Sequence, residues 1–169
     1  NFNTPIISLN MSDFKDKIKK LNAKNKQVTE NQMSNMSNIH KSLQIAKECK
    51  DLIYFVEDDY IHEQNAIEEM IFSYERISSQ LNRELVLCPA DYPYLYNKAE
   101  NTRVFIGNKS HWRTVKESLI TFLTSKKMVL NYIDNFILMS TIRHHPMEKK
   151  LHEISEQISI KTRQYAKRQ

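Results

Sequence analysis

The sequence predicts an α/β fold, with a mainly parallel sheet flanked by helices and a hairpin late in the chain. Three observations carry this expectation. Strand-like and helix-period segments alternate through the first half of the chain. Two short continuous apolar runs, Leu52–Val56 and Leu85–Cys88, read as strands covered on both faces. The only glycine of the 169 residues stands in Gly107-Asn108, between two β-favouring segments, as a hairpin turn would.

The elements follow in order. Thr4 to Leu9 suits a short strand, and Ser12-Asp13 can cap a helix from Phe14 to Asn22 with Phe14, Ile18 and Leu21 at helical spacing. Lys26 to Glu30 can supply another strand. The polar run Asn31 to Asn38 reads as a loop that leads into a helix from Ile39 to Lys50. The Leu52 strand comes next. Glu63 to Leu81 is the clearest helix, because Ala66, Ile67, Met70, Ile71, Tyr74 and Ile77 recur at threes and fours. After the Leu85 strand, Asp91 to Thr102 is aromatic and turn-rich. Arg103–Ile106 and Lys109–Val115 form the expected hairpin, and Leu119–Leu123 one more strand. Ser125 caps a helix to about Leu138, and a last helix runs from Pro146 to about Ile158. Residues 1–158 thus read as one domain and 159–169 as a basic tail.

Composition excludes several classes. No segment approaches the roughly 18 uninterrupted apolar residues of a membrane span. A single glycine leaves no P-loop and no GxGxxG fingerprint, so phosphates would have to be held by side chains and a metal. Net charge is +5, concentrated in Lys15–Lys26 and Lys161–Arg168. Such clusters suit nucleic acid, anionic lipid or solvated faces. Cys49 and Cys88 have no CxxC spacing and read as reduced thiols, which places the chain in the cytoplasm.

Chemistry concentrates at Glu57-Asp58-Asp59, where the Leu52 strand ends. Ligands of open α/β sheets bind at the carboxyl ends of strands, and three adjacent acids call for a compensating cation. A divalent metal site is one reading. An acid-rich turn that caps the next helix is the other.

At this point the chain resembles the family 2-like glycosyltransferases of the GT-A fold. The resemblance rests on Asn38, Ser42-Leu43, Ala46 and Leu52 to Asp59, then on Cys88 to Pro93, His111-Trp112-Arg113 and Thr121 to Thr124. It implies a GT-A-like domain that moves a sugar from a nucleotide-sugar donor to a hydroxyl of a saccharide or lipid-linked acceptor. It also implies Mn²⁺ or Mg²⁺ bridging the donor phosphates, held by Asp59 and Glu57, with Asp58 on ribose or sugar. A late histidine, here His145 or its neighbour His144, is the further ligand such enzymes recruit. Two departures stand out. The family's first strand has no counterpart, so the chain is expected to begin at the second, and Glu57 occupies the place of the usual first Asp.

The remaining candidates follow from chemistry. Inverting transfer needs a general base, for which Asp91 and Glu148 are the candidates. Trp112 offers a face to a sugar ring, or else packs beneath the hairpin; Lys109 and Arg113 suit phosphate. Tyr92, with Tyr94 and Tyr96, can line an acceptor groove. His145, Glu148 and His152 share one helical face, a second arrangement open to zinc. The C-terminal cations allow peripheral contact with the inner face of a membrane. Two rival functions remain: a truncated domain without catalysis, and a basic nucleic-acid-binding protein. The acid run argues against the second, and no nucleic-acid partner is expected.

Overall fold

The computed structural model describes residues 10, 26–90, 101–115, 121–141, 159–162 and 166–168. Within them the fold is mixed α/β. The expected strand Thr4–Leu9 and the helices Phe14–Asn22 and Pro146–Ile158 lie outside the described residues.

The first helix, α1, spans Glu30–Ala46 and begins nine residues before the expected start. Its entry is a capping box. The Gln32 backbone N–H donates to Thr29 Oγ1 at 3.3 Å, and the Thr29 N–H donates to Gln32 Oε1 at 3.1 Å. The polar run read as a loop is therefore helical, with Met36, Ser37, His40, Leu43 and Ala46 buried. The strand expected over Lys26–Glu30 is reduced to a single bridge at Gln27. Strand β1 (Leu52–Phe55) follows, then β2 (Tyr60–His62), α2 (Ala66–Leu81) and β3 (Val86–Cys88). Asn82 closes α2 in the left-handed region, with φ 50°, and its N–H caps the carbonyls of Ser78 and Ser79.

The hairpin pairs β4 (Val104–Ile106) with β5 (His111–Val115), as expected. Strand β6 (Phe122–Ser125) leads into α3 (Lys126–Asn131) and α4 (Ile133–Thr141). Ser125 caps α3 through Met128 N–H, as the sequence suggested, but the helix breaks at Tyr132 rather than running through. Two short strands, β7 (Ser159–Thr162) and β8 (Ala166–Arg168), lie in the stretch expected to be a basic tail.

Six strands form one sheet in the order β1-β6-β3-β7-β5-β4, and β2 pairs with β8 apart from it. Among the described strands only β3 and β7 pair in parallel; the other four pairings of the large sheet are antiparallel, against the mainly parallel sheet expected. The reason is β6. It runs antiparallel to both β1 and β3, so those two point the same way, as β-α-β alternation requires, with a reversed strand between them. Apolar runs encode burial and leave strand direction unspecified.

Alternation along the strands builds cores on both faces. Val86, Cys88 and Phe122 pack with Leu43, Met128 and Phe136 on the side of α1, α3 and α4. Leu85, Leu87, Leu123 and Trp112 pack with Met70, Tyr74 and Ile77 of α2 on the other. Each fully buried apolar side chain of this kind contributes roughly 1.5–3 kcal/mol. Central β3 is buried throughout, as read. Among the described strands β1 is an edge, and only Ile53 of its four residues is buried.

The single glycine serves space rather than conformation. No residue of the hairpin turn has positive φ, and Gly107 N–H donates to Ser110 O at 2.8 Å. A Cβ at position 107 would collide with Glu69 Oε1 and Ser73 Oγ and lie 2.7 Å from Trp112 Nε1. The turn sits against α2, where Glu69, 1% exposed, accepts the backbone N–H groups of Asn108 at 3.0 Å and Lys109 at 2.8 Å. Ser73 adds its hydroxyl at 3.1 Å.

Candidate functional site

Helices α1 and α2 cover opposite faces of the sheet, and on the α1 side an open space remains at the carboxyl end of β1. A cleft of about 850 Å³ lies there. One wall is the strand end itself, Ile53 to Asp59. The facing wall is α1, which contributes Asn31, Ser34, Asn35, Asn38 and Ser42. These recur at threes and fours, so one face of the helix presents a stripe of amides and hydroxyls to the acids. Ile39, Leu43, Phe122 and Phe136 form the apolar floor.

The acidic run turns away from the sheet as it leaves β1. Glu57 is half-buried, whereas Asp58 and Asp59 are exposed in a turn that leads into β2. The Glu57 N–H donates to Thr121 Oγ1 at 3.1 Å, which ties the loop to the residue just before β6. Helix capping does not account for these acids. Strand β2 intervenes, and α2 begins at Ala66, with Asn65 at its N-cap position and Glu68 and Glu69 in its first turn.

Among the described residues, no three His, Cys, Asp or Glu side chains form a group that could hold a metal ion by themselves. Glu57 and Asp59 both line the cleft. Mg²⁺ and similar hard ions commonly take one or two protein carboxylates, with the rest of the shell supplied by phosphate oxygens and water. Among the described residues the acid run does not make an all-protein cage. His145, Asp91, Glu148 and Tyr92 lie outside the described residues, so the site is described from Glu57, Asp58, Asp59 and α1.

The hairpin candidates fall elsewhere. Trp112 is fully buried among Met70, Ile77, Leu87 and their neighbours, so its indole packs beneath the hairpin and offers no face to a sugar. Its Nε1 has no hydrogen-bond partner among the described residues. Four strand positions separate β5 from β1, which at ~4.8 Å each is about 19 Å across the sheet. Lys109 and Arg113 therefore do not line the cleft; the Lys109 backbone is engaged by Glu69, and Arg113 sits on β5 opposite Val104.

A second polar cluster occupies the opposite end of the sheet. Tyr74 Oη donates to Glu84 Oε2 at 2.7 Å and accepts from Leu85 N–H at 3.3 Å, while Lys127 Nζ stands 3.2 Å from Glu84 Oε1. Burial, with Glu84 as a hydrogen-bond acceptor beside it, pushes the Tyr74 hydroxyl up to about 12. Burial also works to raise Glu84, but hydrogen bonds from Ser125 and Tyr74 and the Lys127 ammonium outweigh it and hold the carboxyl below its ordinary range. Both oxygens of Glu84 are engaged within the fold, which marks this cluster as a structural tie between α2, β3 and α3.

Sequence reasoning placed the acid run and missed its partner wall. The signal was present in Thr29-Glu30-Asn31-Gln32, a capping-box pattern that starts a helix nine residues ahead of the apolar periodicity. Among the described residues no helix is long and apolar enough to cross a membrane. Comparison of the chain with known proteins finds no matching family model, no matching curated protein and no matching solved structure.

Proposed function

We propose that this chain is a metal-dependent glycosyltransferase domain of the family 2-like, GT-A type, which moves a sugar from a nucleotide-sugar donor to a hydroxyl of a saccharide or lipid-linked acceptor. One observation carries the reading: an acidic strand end opens on a cleft whose opposite wall is a stripe of neutral hydrogen-bonding side chains. A nucleoside diphosphate sugar has both kinds of surface. Its diphosphate needs cationic neutralisation, and its ribose and hexose present hydroxyls that amides can both donate to and accept from.

In this reading Glu57 and Asp59 hold the ion, and Asp58 turns toward donor ribose or sugar. Asn31, Asn35, Asn38 and Ser42 orient the donor from across the cleft, and the apolar floor of Leu43, Phe122 and Phe136 excludes water beneath it. A bound Mn²⁺ or Mg²⁺ would supply charge stabilisation for the departing diphosphate. A carboxylate takes the acceptor proton as the hydroxyl attacks, and Asp91 and Glu148 are its candidates.

Thermal unfolding with UDP, GDP, ADP and CMP, each with and without Mn²⁺, tests the proposal on the wild type and Asp59→Ala. One nucleotide is expected to raise the wild-type Tm only when Mn²⁺ is present, with a stabilisation of about 2.7 kcal/mol at a hundred times its Kd. Asp59→Ala is expected to abolish the response. Four silent nucleotides on the folded wild type would sink the reading.

A further inference from the structure

We infer that Tyr54 and His62 are positioning residues for the acidic loop: their side-chain hydrogen bond closes the loop at its base and fixes where Glu57, Asp58 and Asp59 stand. The functional consequence rests on the proposed metal role of those acids. The latch itself rests on geometry alone.

Tyr54 lies on β1 with its ring against the α2-side core, and His62 is the last residue of β2. Between them the chain leaves the large sheet, presents its three carboxylates and enters the separate β2–β8 pair. Tyr54 Oη and His62 Nε2 stand 2.5 Å apart across that excursion. The rings meet edge to face, with centroids 5.5 Å apart and planes at 90°, so the contact fixes orientation as well as distance. Burial, followed by the neighbouring Cys88, pushes the Tyr54 hydroxyl well above its ordinary range, which keeps it protonated as the donor. With Tyr54 as donor, His62 Nε2 accepts in the tautomer that carries its proton on Nδ1.

A second tether reinforces the first. The Glu57 N–H bond to Thr121, a residue 2% exposed, holds the loop's first acid against the start of β6. The loop is thus tied at its base to β2 and at its first acid to the main sheet. Strand β2 keeps its own pairing with β8, His62 opposite Ala166, so removal of the latch does not release β2 from its partner. Ligand groups act only when held to about 0.5 Å, and side chains that orient metal ligands typically carry about 10–100-fold in affinity.

Four versions of the 169-residue chain test the inference: wild type, Tyr54→Phe, His62→Leu and His62→Gln. Backbone hydrogen exchange over residues 55–61 reads the loop, and electron paramagnetic resonance of free Mn²⁺ reads affinity for the metal alone. Tyr54→Phe and His62→Leu are expected to speed exchange and to weaken Mn²⁺ binding about tenfold. His62→Gln, whose amide oxygen can accept from Tyr54, is expected to restore both, which a general loss of packing would not allow. Unchanged exchange in Tyr54→Phe overturns the inference, even if His62→Leu fails to fold. So does Mn²⁺ affinity equal in all four proteins when the wild type binds. Faster exchange with no Mn²⁺ binding by the wild type supports the latch and removes the metal reading instead.

Discussion

Glu69 and the Glu57–Asp59 run place the same functional group in opposite circumstances. Glu69 is buried under the hairpin, and both its oxygens accept backbone N–H groups of the turn it fixes. Asp58 and Asp59 stand exposed at a strand end, beside an open cleft. A buried carboxylate is tolerated only where its lone pairs are satisfied, so Glu69 is committed to holding the fold. The exposed acids stand where solvent, and so a ligand in the cleft, can reach them. Three carboxylates in sequence therefore say less about function than where each of them ends up. The contrast separates residues that hold the site's frame from residues that can act in it.

The largest expected effect breaks the committed side of the comparison. Glu69→Ala removes the acceptor of the Asn108 and Lys109 N–H groups, at about 0.5–1.5 kcal/mol for each hydrogen bond lost. Gly107→Ala attacks the same junction from the other side by forcing a Cβ into Glu69 and Ser73, an overpacking cost of about 1–3 kcal/mol. Urea denaturation of the two single variants and the double variant measures both. Because they share one contact, the double is expected to cost less than the sum. Full additivity would mean that the turn does not depend on the Glu69 contact. Both folded variants should keep the nucleotide response, since the hairpin does not line the cleft.

A smaller effect comes from the tie at the far end of the sheet. Tyr74 is raised from 10.0 to about 12 in the folded state, so folding favours its neutral form. The stability this contributes is complete below pH 10 and is lost as pH rises toward 12. Glu84 has the opposite sign. Its folded carboxyl is depressed, so its contribution is present at neutral pH and disappears on acidification through its lowered value. Urea midpoints between pH 8 and 11, placed by the reference phenol value near 10, are expected to fall less steeply in Tyr74→Phe than in the wild type. Parallel slopes would show that the phenol does not carry the alkaline sensitivity.

How much of this was legible in the sequence follows the same division. Helix α2, the buried run of β3 and the hairpin were readable because periodicity and turn residues report burial directly. Helix α1 was half-hidden, since Asn31, Asn35, Asn38 and Ser42 face the cleft and remove the apolar signal from that side. Trp112 is the converse case, where the sequence left a sugar-binding face and packing beneath the hairpin both open. An aromatic beside Lys109 and Arg113 suggests a binding surface, yet its ring fills the space left by Gly107 and the α2 core. Nor did the sequence reveal that β6 would reverse and enter between β1 and β3. That choice is made by long-range pairing, with Phe55 opposite Phe122 and Leu87 opposite Leu123.

The smallest effect on stability is expected where the effect on function is largest. Asp58→Asn and Asp59→Asn each remove one of three neighbouring negative charges without changing side-chain size. Exposed substitutions of this kind usually stay within about ±0.5 kcal/mol, and the loss of like-charge repulsion pushes the sign toward stabilisation. Sites kept for ligands commonly hold residues that the fold alone would not select. Asp59→Asn should therefore match or slightly exceed the wild-type Tm without ligand, and lose the gain from nucleotide with Mn²⁺. A drop of several degrees in the ligand-free variant would instead place Asp59 beside Glu69, as a carboxylate on which the fold depends, and the comparison between the two regions would fail.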